Sequence, residues 1–310
     1  MKTRCHLEPV LFVFAACALE DLHATCIPSP SGLIAWWRAE NNASDSAGNH
    51  PGTLVGGAGV ASGHIGEAFS FNASSDAGVI VPPASPLNPT EAITIEAWVR
   101  PSSFPNLAPT VVRKDLNAVG TTQYSLLVGS GAAAGVAHMN IGGAGSITGG
   151  SVPTNVWTHV AGTYDRQFIR LYVNGVEVTN TAATSPIPTS TENLGIGRHA
   201  LFATRNFDGL IDEVSIYNRA LSAGEIATIH AAGSAGKCDP RPRLNIAALP
   251  GAVRLTWPTN AHGYLLETNS ALTLPGDWGV LTSNYSVIAT DYAVTNTIGG
   301  STRFYRLHKP

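Results

Sequence analysis

Charge is what this chain has least of. Only 13% of its 310 residues are Asp, Glu, Lys or Arg, about half the ~25% usual for a soluble domain, and the formal net charge is −3. No basic stretch exists to hold nucleic acid or an anionic membrane surface. Long apolar runs are missing too. The longest, "VLFVFAACAL" at 10–19, is ten residues, far short of the ~20 needed to span a bilayer. No G-x-S-x-G, H-E-x-x-H or C-x-x-C occurs, so no activated nucleophile, zinc-hydrolase helix or dithiol site announces itself. Histidines such as His138 and His159 stand singly in strand-like contexts, where a structural role is the ordinary one.

Cysteine is scarce, with four in all. Cys5 and Cys17 belong to an N-terminal segment with Lys2 and Arg4 ahead of the short apolar run, the layout of an export signal over residues 1–24. Cleavage after 22–24 or 16–18, or a lipoprotein cut before Cys17, are the alternatives. The expectation is a secreted, extracellular or cell-surface protein that retains Cys26 and Cys238. Two thiols that bracket a domain in an oxidising compartment are expected to pair. Closing so long a loop contributes roughly 5 kcal/mol in the chain-entropy model.

What the chain has in quantity is turn residues, 32 Gly and 20 Pro, between short alternating runs. In "AITIEAWV" (92–99), Ile93, Ile95, Ala97 and Val99 share one face, and Thr94, Glu96 and Trp98 the other. "FIRLYVNGVEV" (168–178) places Asn174-Gly175 where a two-residue hairpin turn needs positive φ at both positions. Strands this frequent predict an all-β fold of two packed antiparallel sheets. One short helix is expected in "SAGEIATIHAAG", because Ser222 and Glu225 have capping-box spacing and Gly233 can stop it. "GSAGKCDPRP" (233–242) reads as a linker. It divides a domain over 27–238 from a small β domain over 241–310.

These stretches together resemble the LamG-like jelly-roll family, the laminin-G/concanavalin A-like lectin sandwich. The carrying motifs, in the family's order, are "GLIAWWRAENNASDSAGN", "GEAFSFNASSDAGVIVP", "AITIEAWVRP", "NVWTHVAGTYDRQFIRLYVNGVEV" and "FDGLIDEVSIYNRALSAGEI". The tail, through "VRLTWP", "YLLETN" and "FYRL", is similar to small fibronectin-III-like modules. The resemblance implies a secreted antiparallel sandwich that binds glycans or proteins, often with structural Ca²⁺, and usually without catalysis. Laminarinase-like enzymes of the same class carry three carboxylates at alternate positions of one strand. Here Glu96 is followed by Trp98 and Arg100, so that triad is missing.

Asp212 and Glu213 are the most conspicuous acidic pair. Regular alternation sends them to opposite faces, which excludes an acid/base dyad. On that basis Asp212 joins Leu210, Val214 and Ile216 facing inward, while Glu213 is solvated. A buried Asp212 needs a partner. Calcium is one, with Asp45 and Asn49 of "NNASDSAGN" as further oxygen ligands. Backbone amides or Arg38, Arg198 or Arg219 are the others. For a ligand surface, one of Trp36, Trp37, Trp98 and Trp157 is a stacking candidate, and "SDAG" (75–78) and "GGAGSITGG" (142–150) are candidate rim loops. The expected task is recognition of a glycan or surface polymer. The alternatives are an adhesive protein that binds other proteins and, more remotely, a glycoside hydrolase.

Overall fold

The computed structural model describes residues 26–308, apart from 106–107, 118–120, 130–132, 202–204, 239–241, 243, 260–263, 271–277, 282–284, 290, 298 and 300–301. The expected export signal, with Cys5 and Cys17, lies outside the described residues.

Two antiparallel sheets build the larger body. The first runs Val176–Ala182, Phe168–Val173, Thr158–Tyr164, Ile93–Pro101, Gly209–Tyr217, Glu67–Phe71 and Gly59–Ser62, with Leu33–Trp37 also paired to Gly209–Tyr217. The second runs Gly145–Ser151, Ala134–Ile141, Thr122–Gly129, Thr110–Asp115, Leu194–Ile196, Gly78–Val81 and Thr53–Val55. Alternation dictates the packing. Ile93, Ile95, Ala97 and Val99 of one sheet and Tyr124, Leu126 and Val128 of the other enter a single apolar core. The hairpin after Val173 forms as its residues require, with Asn174 at φ 49 and Gly175 at φ 78. The stretch 142–150, expected as a rim loop, is instead largely the strand Gly145–Ser151, with only its start in a turn. Its register against Ala134–Ile141 is set by Ile147, which belongs in the core.

The outer face of the first sheet is not open to water. The helix Ala223–Ala231, started by the Ser222–Glu225 capping box, lays Ile226 and Ile229 over Ala161, Tyr172 and Tyr217. The chain then turns through Gly233–Ala235 to Lys237 and Cys238. Here the two ends of the domain meet. Cys26 and Cys238 are joined by a disulfide, and Ile27 bonds the amide of Cys238 and the carbonyl of Gly236 at 2.7 and 2.9 Å.

The C-terminal body holds a four-stranded sheet (Asn245–Leu249, Ala252–Pro258, Asp291–Thr297, Ser286–Ile288) and a three-stranded one (Gly279–Val280, Leu265–Asn269, Phe304–His308). Leu255, Trp257 and Val294 from the former meet Leu266 from the latter in their own small core.

Because the disulfide limits the unfolded chain over a loop spanning 212 residues, replacing both cysteines by serine is expected to lower stability by roughly 2–5 kcal/mol. Denaturant unfolding of the paired variant against wild type checks it. An unchanged midpoint would show that hydrogen bonding of Ile27 already closes the domain.

Candidate functional site

The strand Gly209–Tyr217 does not alternate through its acidic pair. Its pairing with Ile93–Pro101 slips between Asp212 and Ser215, and Glu213 takes φ 58, the left-handed region. This is a β-bulge, which adds one residue to a strand and re-aims its neighbours. Ile211, Val214 and Ile216 all enter the sandwich core. Asp212 lies opposite Trp98, and Ser215 opposite Glu96. Both carboxylates of the pair therefore sit on the outer face, beneath the helix and the Lys237 segment. The opposite-face expectation is corrected by the bulge. So is the expectation of a solvated Glu213, whose side chain is 1% exposed.

A dense ionic cluster results. Lys237 Nζ lies 2.8 Å from Glu96 Oε1 and 3.7 Å from Glu213 Oε2. His159 Nε2 stands 3.1 Å from the other oxygen of Glu96. Glu213 accepts from the Trp36 indole at 2.9 Å and lies 3.7 Å from Arg38 Nε. Burial alone would raise Glu96, but the ammonium of Lys237 and then His159 hold it down to about 2. Glu213 is pushed up to about 7 by burial, with the charge of Glu96 adding to the rise against Lys237. Asp212 goes up to about 8, first through burial. Its Oδ2 accepts the amides of His64 and Ile65, each at 2.9 Å, and its Oδ1 is buried without a partner. Three carboxylates thus share a face, as acid/base chemistry would need, yet no substrate can reach them under the helix.

The expected calcium ligands do not converge. Asp45 spends both oxygens on its own loop: Oδ1 accepts the amides of Trp36, Ala47 and Gly48, and Oδ2 those of His50 and its ring. No lone pair is left for a cation. Asn49 is exposed, and Asp212 shares no partner with Asp45. Among the described residues no group of three or more His, Cys, Asp or Glu side chains is arranged to hold a metal. The residues therefore do not fit the calcium site that the family resemblance implies. Nor do the arginines serve Asp212. Arg38 faces Glu213 and Glu40, Arg198 pairs with Asp76 at 2.9 Å, and Arg219 pairs with Glu225. Trp36, Trp37 and Trp98 are buried; Trp98 stacks on His64, and Trp157 lies half-buried beside that ring.

The accessible polar surface is the outer face of the second sheet. Ser146, Asn140, Ser125 and Arg113 lie in register across four adjacent strands. Thr148, His138, Leu127 and Thr110 form the next row. Ser146 and Thr148 are exposed, and His138 and Asn140 half-buried. At the far end the floor is closed. The hydroxyls of Ser125 and Thr110 are buried and unpartnered, and Arg113 Nε donates to Asp115 Oδ1 at 2.8 Å. The segment after Ile196 folds back over Gly195, where a Cβ would come within 2.4 Å of the Arg198 carbonyl. That fold places His199 Nε2 3.3 Å from Asp115 Oδ2. Burial and then Arg113, Arg205 and Arg198 push His199 down to about 4. The sequence shows polar residues at alternate positions here, but every solvent-facing sheet does, so nothing singled them out.

An antiparallel two-sheet sandwich with one helix-covered face and one open polar face defines a lectin-type jelly roll. The chain belongs to the concanavalin A-like lectin/glucanases superfamily, whose laminin-G-type family model matches residues 73–227, half of the chain. Mouse (Mus musculus) pappalysin-1 is 31% identical over a match covering 43% of this chain but only 9% of that protein; the chain thus corresponds to a small part of this relative. Domain 4 of AbnA, a GH43 extracellular arabinanase from Geobacillus stearothermophilus solved in complex with arabinotriose, superimposes with a TM-score of 0.52 at 25% identity. It covers 63% of this chain and 97% of that one. The binding domain of Paraclostridial Mosquitocidal Protein 1 shares the fold at 14% identity and TM-score 0.53, over 78% of this chain and 61% of that one.

The buried cluster makes stability depend on pH in a calculable direction. Asp212 and Glu213 titrate near 8 and 7 in the folded protein against about 4 when unfolded. The folded state therefore holds protons that the unfolded state has lost, and stability falls as pH rises towards those values. Histidines with lowered values, His64 and His230, act below about 6.5, which leaves pH 6.5–8 to the carboxyls. There the wild-type stability is expected to drop with pH by up to about 1.4 kcal/mol per unit for each group, and the melting temperature with it. Asp212→Asn should flatten the curve; a wild-type curve that rises over this interval contradicts the assignment. Glu213→Ala is expected to cost roughly 1–3 kcal/mol by leaving the buried Trp36 indole N–H without its acceptor. With the oxygens of Asp45 taken up by its own loop, chelation by EDTA is expected to leave the melting temperature unchanged; a drop would place a cation elsewhere in the fold.

Proposed function

We propose that the chain is an extracellular, non-catalytic carbohydrate-recognition protein that binds glycan along the outer face of its second sheet. The observation that carries this reading is the registered row Ser146–Asn140–Ser125–Arg113. Four strands about 4.8 Å apart carry it over a length on the order of 14 Å, and its Ser146 and Asn140, with Thr148 and His138 of the next row, reach solvent while Ser125 and Arg113 form the buried end. The solvent-reaching groups both donate and accept, as sugar hydroxyls demand. The likeness to an arabinanase domain solved with arabinotriose supports a carbohydrate ligand. Among the described residues no helix is long and apolar enough to cross a membrane.

The position of the carboxylates supports the non-catalytic reading. Glycoside cleavage needs two of them flanking an accessible bond. Glu96, Asp212 and Glu213 are buried on the first sheet, and the second sheet's outer face contributes the single buried carboxylate of Asp115, already shared by Arg113 and His199.

Affinity electrophoresis of residues 25–310 through gels containing arabinan, laminarin, xylan or polygalacturonate tests the reading. Retardation in at least one gel is expected. Asn140→Ala and His138→Ala should weaken it at least fivefold, the loss of about one good hydrogen bond, with melting temperatures unchanged. Retention unaffected by both substitutions would move the site elsewhere, and no retention by any glycan would favour a protein ligand. Reducing-end release that Glu96→Gln abolishes would overturn the non-catalytic role.

A further inference from the structure

The charge on this face is unbalanced, and the imbalance selects among glycans. Asp115 is its buried carboxylate among the described residues, and its contacts are to Arg113 and His199. Arg113 reaches its Oδ1 through both Nε and Nη2 at 2.8 Å. His199 takes the other side: Nδ1 accepts the amide of Leu201 at 3.2 Å, so the ring proton sits on Nε2, 3.3 Å from Asp115 Oδ2.

Arg205 is left over. Its carbonyl accepts the amide of Thr110 at 2.8 Å, which seats it at the end of the Thr148–His138–Leu127–Thr110 row. It is exposed, and among the described residues no carboxylate lies within ion-pair distance of it. Its charge is felt at two histidines of this face: after burial, Arg205 is the cause that lowers His138, and it contributes to lowering His199. Arg205 is itself lowered by burial and by Arg113, with Asp115 opposing at longer range. An exposed guanidinium that makes no ion pair among the described residues thus stands at the edge of neutral hydrogen-bonding groups, on a chain whose net charge is −3. General attraction to polyanions is therefore not built into the protein; the positive field is local.

We propose that this face takes an anionic glycan, with Arg205 gripping a carboxylate or sulfate of the sugar while Asn140, Ser146 and His138 bond its hydroxyls. The inference rests on the glycan reading above and narrows its substrate class. Guanidinium suits this task because its planar fork matches both carboxylate and sulfate oxygens.

The test is calorimetric titration of the whole chain with neutral arabinan, carboxylated polygalacturonate and sulfated chondroitin, in low salt and in 0.5 M NaCl. The acidic polymers are expected to bind about tenfold tighter than arabinan at low salt, with the advantage largely lost at high salt. Whichever acidic polymer binds tighter identifies the group held. Arg205→Gln should remove about that tenfold while leaving any arabinan affinity within twofold. Arg166→Gln, an exposed arginine of the first sheet, should change nothing; an equal loss there would mean non-specific attraction and overturn the proposal. Acidic affinity unchanged by Arg205→Gln, or tighter binding of arabinan, would also overturn it. Arabinan binding that Asn140→Ala abolishes but Arg205→Gln spares would sink the anionic class alone, and failure of every polymer would sink the glycan reading with it.

Discussion

The ammonium of Lys237, buried between Glu96 and Glu213, is the contact on which the larger domain's architecture depends. A lone ammonium in that position would be expelled, and two lone carboxylates would not stay ionised. Together they hold, and only if the segment bearing Lys237 lies across the outer face of the first sheet. The disulfide one residue later and the backbone bonds to Ile27 keep it there. The helix preceding it is drawn down at the same time, covering Tyr172 and Tyr217. Burial pulls all three carboxyls upward, and the single ammonium is spent mainly on Glu96, so Glu213 and Asp212 sit high and the region carries a pH dependence.

Closing one face leaves the other for function. The two sheets have comparable strand composition inside the core, but their outer faces differ in kind. Charged groups on the first sheet are buried, with Lys237 held between Glu96 and Glu213. On the second, small polar side chains reach from strand to strand, and Ser146, Thr148, Asn140 and His138 reach solvent. Groups that water reaches can exchange it for the hydroxyls of a ligand, and that is why this face, and not the buried carboxylate cluster, is read as the binding surface. The superfamily membership fixes the fold on which such a face is displayed; the identity of a ligand comes from the side chains on it.

Much of the fold was legible in the sequence. The alternation of Ile93, Ile95, Ala97 and Val99, the Asn174-Gly175 turn and the Ser222–Glu225 box are local signals, each read from a few neighbouring residues and each formed in the structure. The pairing of Cys26 with Cys238 was legible from position alone, because they bracket the strand-rich region. The acidic pair was misread for a definite reason. Alternation assumes an unbroken ladder, and the bulge at Asp212–Glu213 depends on the partner strand, which local pattern does not contain. The expected ligand set did not come together for a similar reason: Asp45 and Asp212 each look deficient in isolation, while backbone amides from their separate surroundings bond Asp45 and one oxygen of Asp212.

Periodicity, turn chemistry and capping thus determined the all-β class and the helix, since these follow from side-chain direction over stretches shorter than a strand pair. Tertiary structure alone decided which face was sealed, which carboxylates met Lys237, and that Arg205 came to the end of the row holding Thr110 and His138. The contacts of Glu96 with His159 and Lys237 join residues 63 and 141 positions apart, and the electrostatic energy of such a contact depends on distance and burial, neither of which exists until the sheets have packed.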